Sequence, residues 1–291
     1  GGAATGKVQT QHESLSVKVT HTPDKAQRGR ELATEYAAGF GDKVRPVVVA
    51  STPLDKRQLT DEIRMSLKES GAIDGVAQGV MVEARNEVFL TIAEKKKVAS
   101  WRNGYVIEDR TEHKPQVFTV GGISEDTKSL ILYNDKGEKS TVKASSMGRK
   151  DVRVFESTMI EVVPGEVLKA SAALKGQGIR AKDSLRVHEA SERQITGFNE
   201  RTGKAFTLYT HEPVYAGYGY VSGMGEVNRA EGTVIAALSK RDLNANNINS
   251  LNMSGNSLSI YSPLDEQATV NKIQNMNLRN TGTEYVSSTA Q

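Results

Sequence analysis

Residues 47–71 read VVVASTPLDKRQLTDEIRMSLKESG, a short apolar run followed by a turn and a longer amphipathic stretch. The run, which extends back to residue 44, is of the type found in strands buried within parallel sheets. Leu59, Ile63 and Leu67 recur at i, i+4 and i+8, which predicts a helix that ends at Gly71. The stretch therefore predicts one strand and one helix of a parallel α/β sheet.

The two ends of the chain carry the same α/β texture. Residues 14–19 alternate at period two, as a strand does, and Pro23 opens a predicted helix that runs to about residue 40. After about residue 227 the texture returns, with strand-like runs at 233–238 and 257–261. We therefore expect both ends of the chain to contribute to one α/β domain.

The middle of the chain, from about residue 76 to 215, consists of short β-runs separated by turn signals, which is typical of small antiparallel barrels. One group of runs lies at 105–107, 117–120, 129–133 and 139–143, and a second at 158–163, 166–170, 184–188, 193–196 and 204–209. This organisation predicts four segments: an α/β lobe at 1–75, a β-subdomain at 76–156, another at 157–227, and the rest of the lobe at 228–291.

The composition excludes several classes of function. The chain has no cysteine, which removes disulfides, Cys-ligated zinc, iron–sulfur clusters and thiol catalysis, and fits a reducing compartment such as the cytoplasm. The five histidines are scattered without metal-ligand spacing, so we predict no metal. No apolar run approaches the roughly 18–20 residues of a membrane span, and the start lacks a signal peptide and is expected to be a cut end.

Enzyme motifs are weak. Gly1, Gly6 and Lys7 mimic a phosphate-binding loop, but Val8 stands where a hydroxyl would hold Mg²⁺ and no strand precedes the loop. No G-x-S-x-G elbow is present. We therefore predict no cofactor and no catalysis in this chain, with a hidden enzyme as an open alternative.

Two basic segments lie at the margins of the first β-subdomain. With a net charge of only +3, an anionic partner must bind a local patch. A positive groove with a ring for stacking binds single-stranded nucleic acid without reading its sequence. The candidate DNA-binding residues are Lys95, Lys96, Lys97, Trp101, Arg102, Arg149, Lys150 and Arg153. A solvated lysine turn and a Trp101 ring packed in a barrel core remain alternatives.

The unit at residues 47–71 resembles the opening of the second RecA-like lobe of superfamily-1 helicases, called 2A. The order of lobe, β-insertion and lobe resembles a 2A lobe that carries inserted SH3-like 2B and 2B-like barrels. Further along the chain stand, in order, SWRNGYVIE at 100–108, DKGE at 135–138, GYV at 219–221 and LSIYSPLDE at 258–266. With these pieces, nearly the whole chain is similar to the TraI family of conjugative relaxase-helicases, in the segment between relaxase and active helicase.

The resemblance implies a fold class of α/β plus β: a RecA-like parallel-sheet lobe formed by both chain ends and interrupted by small SH3-like β-barrels. It also implies a vestigial helicase, expected to be a monomer, that binds single-stranded DNA. An active helicase needs a phosphate loop and an arginine from the second lobe. Where the resemblance would place that arginine, residues 250–253 read SLNM. The alternative is the second lobe of an active ATP-dependent DNA helicase cut from its catalytic lobe; a third option, a structural scaffold, predicts no DNA affinity.

The resemblance further implies an internal translocation signal for type IV secretion, with the pattern Gly-[Glu/Asp]-Arg-[Leu/Met]-Arg-[Val/Phe]-Thr. Residues 165–171 read GEVLKAS, in which Val167 and Ala170 depart from the pattern. The implied signal residues are Gly165, Glu166, Leu168, Lys169 and Ser171. The implied partner is the secretion system's coupling ATPase or a channel component, with export from the bacterial cytoplasm to the recipient cell. A plain β-hairpin at these residues is the alternative.

Overall fold

The computed structural model describes residues 3–9, 14–227, 230–254, 257–280 and 284–287. It divides into two compact units. Residues 1–76 and 218–291 form the first, here called the α/β unit, and residues 77–217 form the second, called the β unit.

The described residues contain strands and helices along the whole chain. The strands are β1 (Ala3–Gln9), β2 (Ser14–His21), β3 (Val47–Ala50), β4 (Val80–Val88), β5 (Val106–Asp109), β6 (Gln116–Ser124), β7 (Ser129–Asn134), β8 (Lys139–Lys143), β9 (Val152–Val162), β10 (Val167–Ala170), β11 (Ser184–Ala190), β12 (Gln194–Asn199), β13 (Ala205–Tyr209), β14 (Ala216–Tyr218), β15 (Val221–Gly223), β16 (Val234–Ala237), β17 (Ser257–Ser262) and β18 (Glu284–Ser287). The helices are α1 (Lys25–Gly39), α2 (Pro53–Ser70), α3 (Ile92–Lys95), α4 (Ala245–Ser254) and α5 (Glu266–Asn280).

The α/β unit is built on one seven-stranded sheet with the order β15-β3-β16-β17-β2-β1-β18. The first five strands in this order are parallel, and β1 and β18 pair antiparallel at one edge. β3 lies directly beside β16, with Val47 opposite Val234. The predicted parallel sheet formed by both ends of the chain is therefore confirmed.

Helices cover both faces of this sheet, and side chains of β17 contact helices on each face in alternation. Leu258 and Ile260 point to the face where α4 and α5 contribute Leu251 and Ile273 to the core. Ser259 and Tyr261 point to the opposite face. There the Ser259 Oγ and Tyr261 OH donate hydrogen bonds to Glu35 on α1, at 2.7 and 3.1 Å.

The helix predicted from residues 53–71 is present as α2, and its ends follow from local chemistry. Thr52 Oγ1 accepts a hydrogen bond from Asp55 N at 3.1 Å, and Pro53 occupies the first turn, where its missing N–H costs nothing. Gly71 ends the helix with a φ of +77°, a conformation that favours glycine. Leu59, Ile63 and Leu67 are buried, as their spacing predicted.

The β unit contains a six-stranded antiparallel sheet, β4-β9-β5-β6-β7-β8, and a five-stranded sheet, β13-β12-β11-β10-β14. β4, which pairs with β9 from Val80 to Val88, was not predicted from the sequence. The apolar Met81 between Val80 and Val82 interrupts the alternation, and only Val82 and Ala84 of this strand are buried. The boundary at residue 156 and the SH3-like character of the barrels stay predictions; β9 runs across that boundary.

Candidate nucleic-acid interface

The fold brings the two basic segments of the sequence together on the β unit. α3, which leads into the lysine run, packs against the 3₁₀ helix Ala144–Arg149. Gly148 lies under the Lys96 side chain: a Cβ built on Gly148 would be 2.8 Å from Lys96 Cγ and 2.6 Å from Lys96 Cε. Lys96, Lys97 and Arg149 are all exposed, so a local positive surface exists despite the small net charge.

A capping box fixes the start of α3 and therefore the place of the lysines. Thr91 Oγ1 accepts a hydrogen bond from Glu94 N, and Thr91 N donates to Glu94 Oε1, both at 3.1 Å. The hydrogen bonds from Thr91 lower the pKa of Glu94, with a smaller contribution from the charge of Lys97. The lysine run begins at the C-terminal end of this helix, where cations are favoured.

Trp101 lies in the core of the six-stranded sheet. It is 2% exposed, packs with Ile107, Leu130 and Val154, and donates a hydrogen bond from Nε1 to Lys95 O at 2.9 Å. A base cannot reach a ring whose faces are covered by the core. The stacking role predicted for Trp101 is corrected on this ground, in favour of the core-packing alternative.

Three of the predicted DNA-binding cations are engaged within the protein. Arg153 donates from Nε and Nη2 to the two oxygens of Glu87, at 2.9 and 2.8 Å, which raises the pKa of Arg153. Lys150 Nζ lies 3.7 Å from Asp109 Oδ2, and Lys95 Nζ donates to Val152 O at 3.3 Å. The predicted DNA-binding cations that are exposed are Lys96, Lys97, Arg102 and Arg149.

An exposed ring that was not among the predicted site residues lies beside α3. Phe89 is 79% exposed, and Ile92 is 64% exposed. Phe89 lines a cavity of about 260 Å³ together with Lys95, Arg153 and the adjoining ends of β4 and β9. The sequence does indicate that one of the adjacent apolar residues Phe89 and Leu90 is exposed. Neighbouring residues in an extended chain point to opposite sides, so only one of the two can enter the core.

The segment that resembles the translocation signal is mostly interior. Gly165 has a φ of +91° in the turn before β10, and Glu166 and Leu168 are both 0% exposed. Lys169 is half-buried, and the Ser171 hydroxyl donates to Arg85 O. The alternative of a plain β-hairpin at this turn is not found, because β9 and β10 belong to different sheets and β10 pairs with β11.

A larger cavity, of about 600 Å³, lies in the α/β unit at the carboxyl end of β16. Its apolar lining includes Leu59 and Leu238, and it carries the carboxylates of Asp24, Asp55, Asp61, Glu62 and Asp242 against the cations of Lys25 and Arg28. Lys25 Nζ pairs with Asp55 Oδ1 at 3.1 Å, and burial lowers the pKa of Arg28. The balance is negative, which opposes the binding of a polyphosphate.

Asp242 is held in place at this cavity by the end of the neighbouring strand. Its Oδ1 accepts a hydrogen bond from Ser51 Oγ at 2.7 Å, just after β3. Its Oδ2 accepts from the backbone and side chain of Ser239, both at 2.9 Å. This carboxylate therefore links the ends of two adjacent parallel strands.

The remaining sequence motifs carry no site in the described structure. Gly6 and Lys7 lie in β1, paired on both sides, whereas Gly1 lies outside the described residues. Residues 250–253 belong to α4, and the side chain of Met253 lies outside the described part. Within the described chain, no three His, Asp or Glu side chains gather as a metal site, and no helix has the length and apolar character to cross a membrane.

Solved structures similar to this chain include Pif1 helicases. A Pif1 structure from a study of forked dsDNA unwinding by two coordinating helicases is 7% identical, with a TM-score of 0.33, over 93% of this chain and 55% of that one. Pif1 from Bacteroides in complex with ADP-AlF3 and ssDNA is 8% identical, with a TM-score of 0.22, over 92% of this chain and 52% of that one. TM-scores this low do not establish a common fold.

Sequence comparison relates the chain to TraI. Two relatives, both named multifunctional conjugation protein TraI and from Escherichia coli K12 and Escherichia coli, are 24% identical over 270 residues. The match covers 90% of this chain but only 15% of the relatives' length. Residues 84–162 match the family described as DNA relaxase TraI 2B/2B-like domain, a range that holds both basic segments. As the resemblance predicted, the chain is similar to a segment of TraI over most of its length and carries a TraI 2B/2B-like domain at residues 84–162.

Proposed function

We propose that this chain is a non-catalytic region of a conjugative relaxase that binds single-stranded DNA through its 2B-like domain. The observation that carries the proposal is the contact between α3 and the 3₁₀ helix Ala144–Arg149, which unites two basic segments that are distant in the sequence. The phosphate contacts are assigned to Lys96, Lys97, Arg102 and Arg149. Binding is tolerant of sequence, because these cations contact the backbone and not the base edges.

Salt dependence supplies the test. Oligo-dT affinity is measured by fluorescence anisotropy at several salt concentrations for the wild type and for the triple variant Lys96→Gln, Lys97→Gln and Arg149→Gln. For single strands each neutralised phosphate contributes about 0.7 to the slope of log K against log salt. Loss of three contacts should therefore flatten the slope by about 2.

The matched control removes three exposed lysines elsewhere on the β unit: Lys136→Gln, Lys139→Gln and Lys204→Gln. It has the same change in net charge and should keep the wild-type slope. Equal slopes for the wild type and the triple variant at 96, 97 and 149 would contradict the assignment of the surface. No binding by the wild-type chain at any salt concentration would remove the DNA role from this chain.

The absence of ATP turnover is part of the proposal, and the charge of the larger cavity supports it. The carboxyl ends of parallel strands are where α/β domains bind nucleotides. In this chain that edge carries more carboxylates than cations. DNA-stimulated ATP hydrolysis by this chain would favour the alternative of an active helicase lobe. So would a loss of ATP hydrolysis by the full-length protein when Met253 is substituted.

We also propose that residues 165–171 act as the translocation signal, recognised by the coupling ATPase or a channel component during export from the bacterial cytoplasm to the recipient cell. The support is the resemblance of GEVLKAS to the family's pattern. Lys169 is the residue to test, since Leu168 is fully buried and its substitution would disturb the fold. Lys169→Ala should lower the transfer of a fused reporter, while Lys175→Ala should not; equal transfer by both would contradict this signal.

A further inference from the structure

Phe89 presents an aromatic ring to solvent at a fixed position. The residue lies in the link between β4 and α3, and both ends of this link are held. Val88 is paired with Val154 across β4 and β9, and Thr91 is the N-cap of α3. The ring itself is 79% exposed, although a phenylalanine gains free energy from burial.

The neighbours of Phe89 show that its exposure is not due to a loose segment. Val88 and Leu90 pack against the core that contains Trp101. The backbone on both sides of Phe89 is therefore anchored by apolar contacts, and the ring is left on the outer side. A ring held in this way loses little conformational entropy when a ligand covers it.

The space beside the ring suits one flat group. The cavity that Phe89 lines has a volume of about 260 Å³, which is below the roughly 300–1,000 Å³ of pockets for drug-sized ligands. Its apolar walls come from Val88, Leu90 and Val154, and Lys95 lies at the same cavity. The nearby carboxylate of Glu87 is already paired with Arg153, so it adds no uncompensated negative charge.

We propose that Phe89 is the stacking ring for a base of single-stranded nucleic acid and that the lysines after α3 hold the phosphates next to that base. The inference rests on the proposed function and adds the contact to the base. Charge favours this occupant over an apolar protein segment, because the exposed ring is followed closely by Lys95, Lys96 and Lys97. Stacking on an aromatic side chain is tolerant of sequence, since every base has a π-face.

The test compares substitutions of Phe89 with a matched exposed ring. Phe89→Ala should weaken oligo-dT binding by roughly ten- to a hundredfold, given the usual contribution of one stacked base. The slope of log K against log salt should stay the same, because the ring carries no charge. Phe198→Ala, at a ring 44% exposed on the five-stranded sheet, should stay within about twofold of the wild type.

Two further measurements make the result specific for stacking. On an abasic oligonucleotide, Phe89→Ala and the wild type should bind equally, since no base is available. Phe89→Trp should retain affinity for oligo-dT, and its fluorescence should be quenched on binding, whereas the buried Trp101 gives a constant background. Thermal unfolding of each variant should match the wild type, because Phe89 is exposed.

The outcomes separate this inference from the proposed function. If Phe89→Ala binds oligo-dT as the wild type does, while the triple variant at 96, 97 and 149 is weakened, the stacking inference is overturned and the DNA-binding surface stands. If neither variant changes binding, both fail. An equal loss of affinity for the abasic and the normal oligonucleotide in Phe89→Ala would also overturn stacking.

Discussion

Two cavities in the described part of the chain differ in the property that decides what they can bind. The larger one, about 600 Å³, lies at the carboxyl end of β16 in the α/β unit and carries more carboxylates than cations. The smaller one, about 260 Å³, lies on the β unit beside an exposed ring and a lysine run. In an α/β domain the first position is the usual ligand site. Charge reverses that expectation here and points to the inserted β unit as the part that contacts a polyanion.

The largest expected effect concerns the ring in the core of the β unit. Trp101→Ala should lower the free energy of unfolding by about 3–5 kcal/mol, because it removes a large buried side chain and leaves a cavity. Urea denaturation of the chain measures it, with Phe89→Ala as the control that should differ from the wild type by less than about 0.5 kcal/mol. A stable Trp101→Ala variant with reduced DNA affinity would reverse the roles of the two rings.

A second prediction concerns the acid stability of the β unit. Asp183 is buried and accepts hydrogen bonds from Arg201 at 2.7 and 2.9 Å, from Arg180 N at 2.8 Å and from Asn199 at 2.9 Å. The hydrogen bonds with Arg201 hold the pKa of Asp183 well below its usual range. Asp183→Asn should therefore lower the free energy of unfolding at pH 7 by about 2 kcal/mol, since it weakens charged hydrogen bonds.

The sign of the pH dependence follows from the lowered pKa of Asp183. The stabilisation is fully present above the pKa of the carboxyl in the unfolded chain, about 3.9, and is lost progressively as the pH falls from there through the much lower pKa of the folded chain. The difference between the urea midpoints of the wild type and Asp183→Asn should therefore be constant near neutral pH and smaller at pH 3. A difference that stays the same down to pH 3 would contradict the assigned ion pair.

A third, smaller effect is expected at the acidic cavity. Ser51→Ala removes the hydrogen bond from Ser51 Oγ to Asp242 and should cost about 1 kcal/mol in the free energy of unfolding. DNA affinity should not change, because the proposed DNA-binding surface lies on the β unit. A loss of DNA affinity in a folded Ser51→Ala variant would show that the cavity of the α/β unit takes part in binding.

The smallest effect is the most direct test of the comparison. Asp61→Asn with Glu62→Gln removes two carboxylates from the acidic cavity and should change the Kd for oligo-dT by less than about twofold, since the proposed phosphate contacts come from cations of the β unit. Anisotropy at low and moderate salt checks it. Tighter binding by fivefold or more would mean that the strand passes the α/β unit.

The regular parts of the fold could be predicted because their signals are local. The spacing of Leu59, Ile63 and Leu67 and the glycine at 71 define α2 without reference to the rest of the chain. The apolar runs at β3 and β16 could be assigned to a parallel sheet for the same reason. β4 could not be predicted in the same way, because it lies at the edge of its sheet and includes the exposed residues Met81 and Asn86.

The candidate site could be predicted only in part. The positive charge was found, because lysines and arginines at a surface are visible in the sequence. The stacking ring was predicted to be Trp101, the single tryptophan of the chain. The burial of Trp101 depends on its packing against strands between residues 107 and 154, which the local sequence does not reveal. Whether Phe89 or Leu90 enters the core depends on the register of β4 with β9. That register cannot be predicted from the residues around Phe89, because the two strands are far apart in the sequence.

The adjacency of β3 and β16 has a consequence for how the chain is made. The ribosome releases the N-terminal part of the chain first. β3 therefore cannot pair with β16 until the residues between the two strands have been synthesised. The β unit has nearly all its strand pairs within residues 80–218 and can mature earlier. We expect translation to leave the first helices exposed to chaperones until the sheet closes around β16.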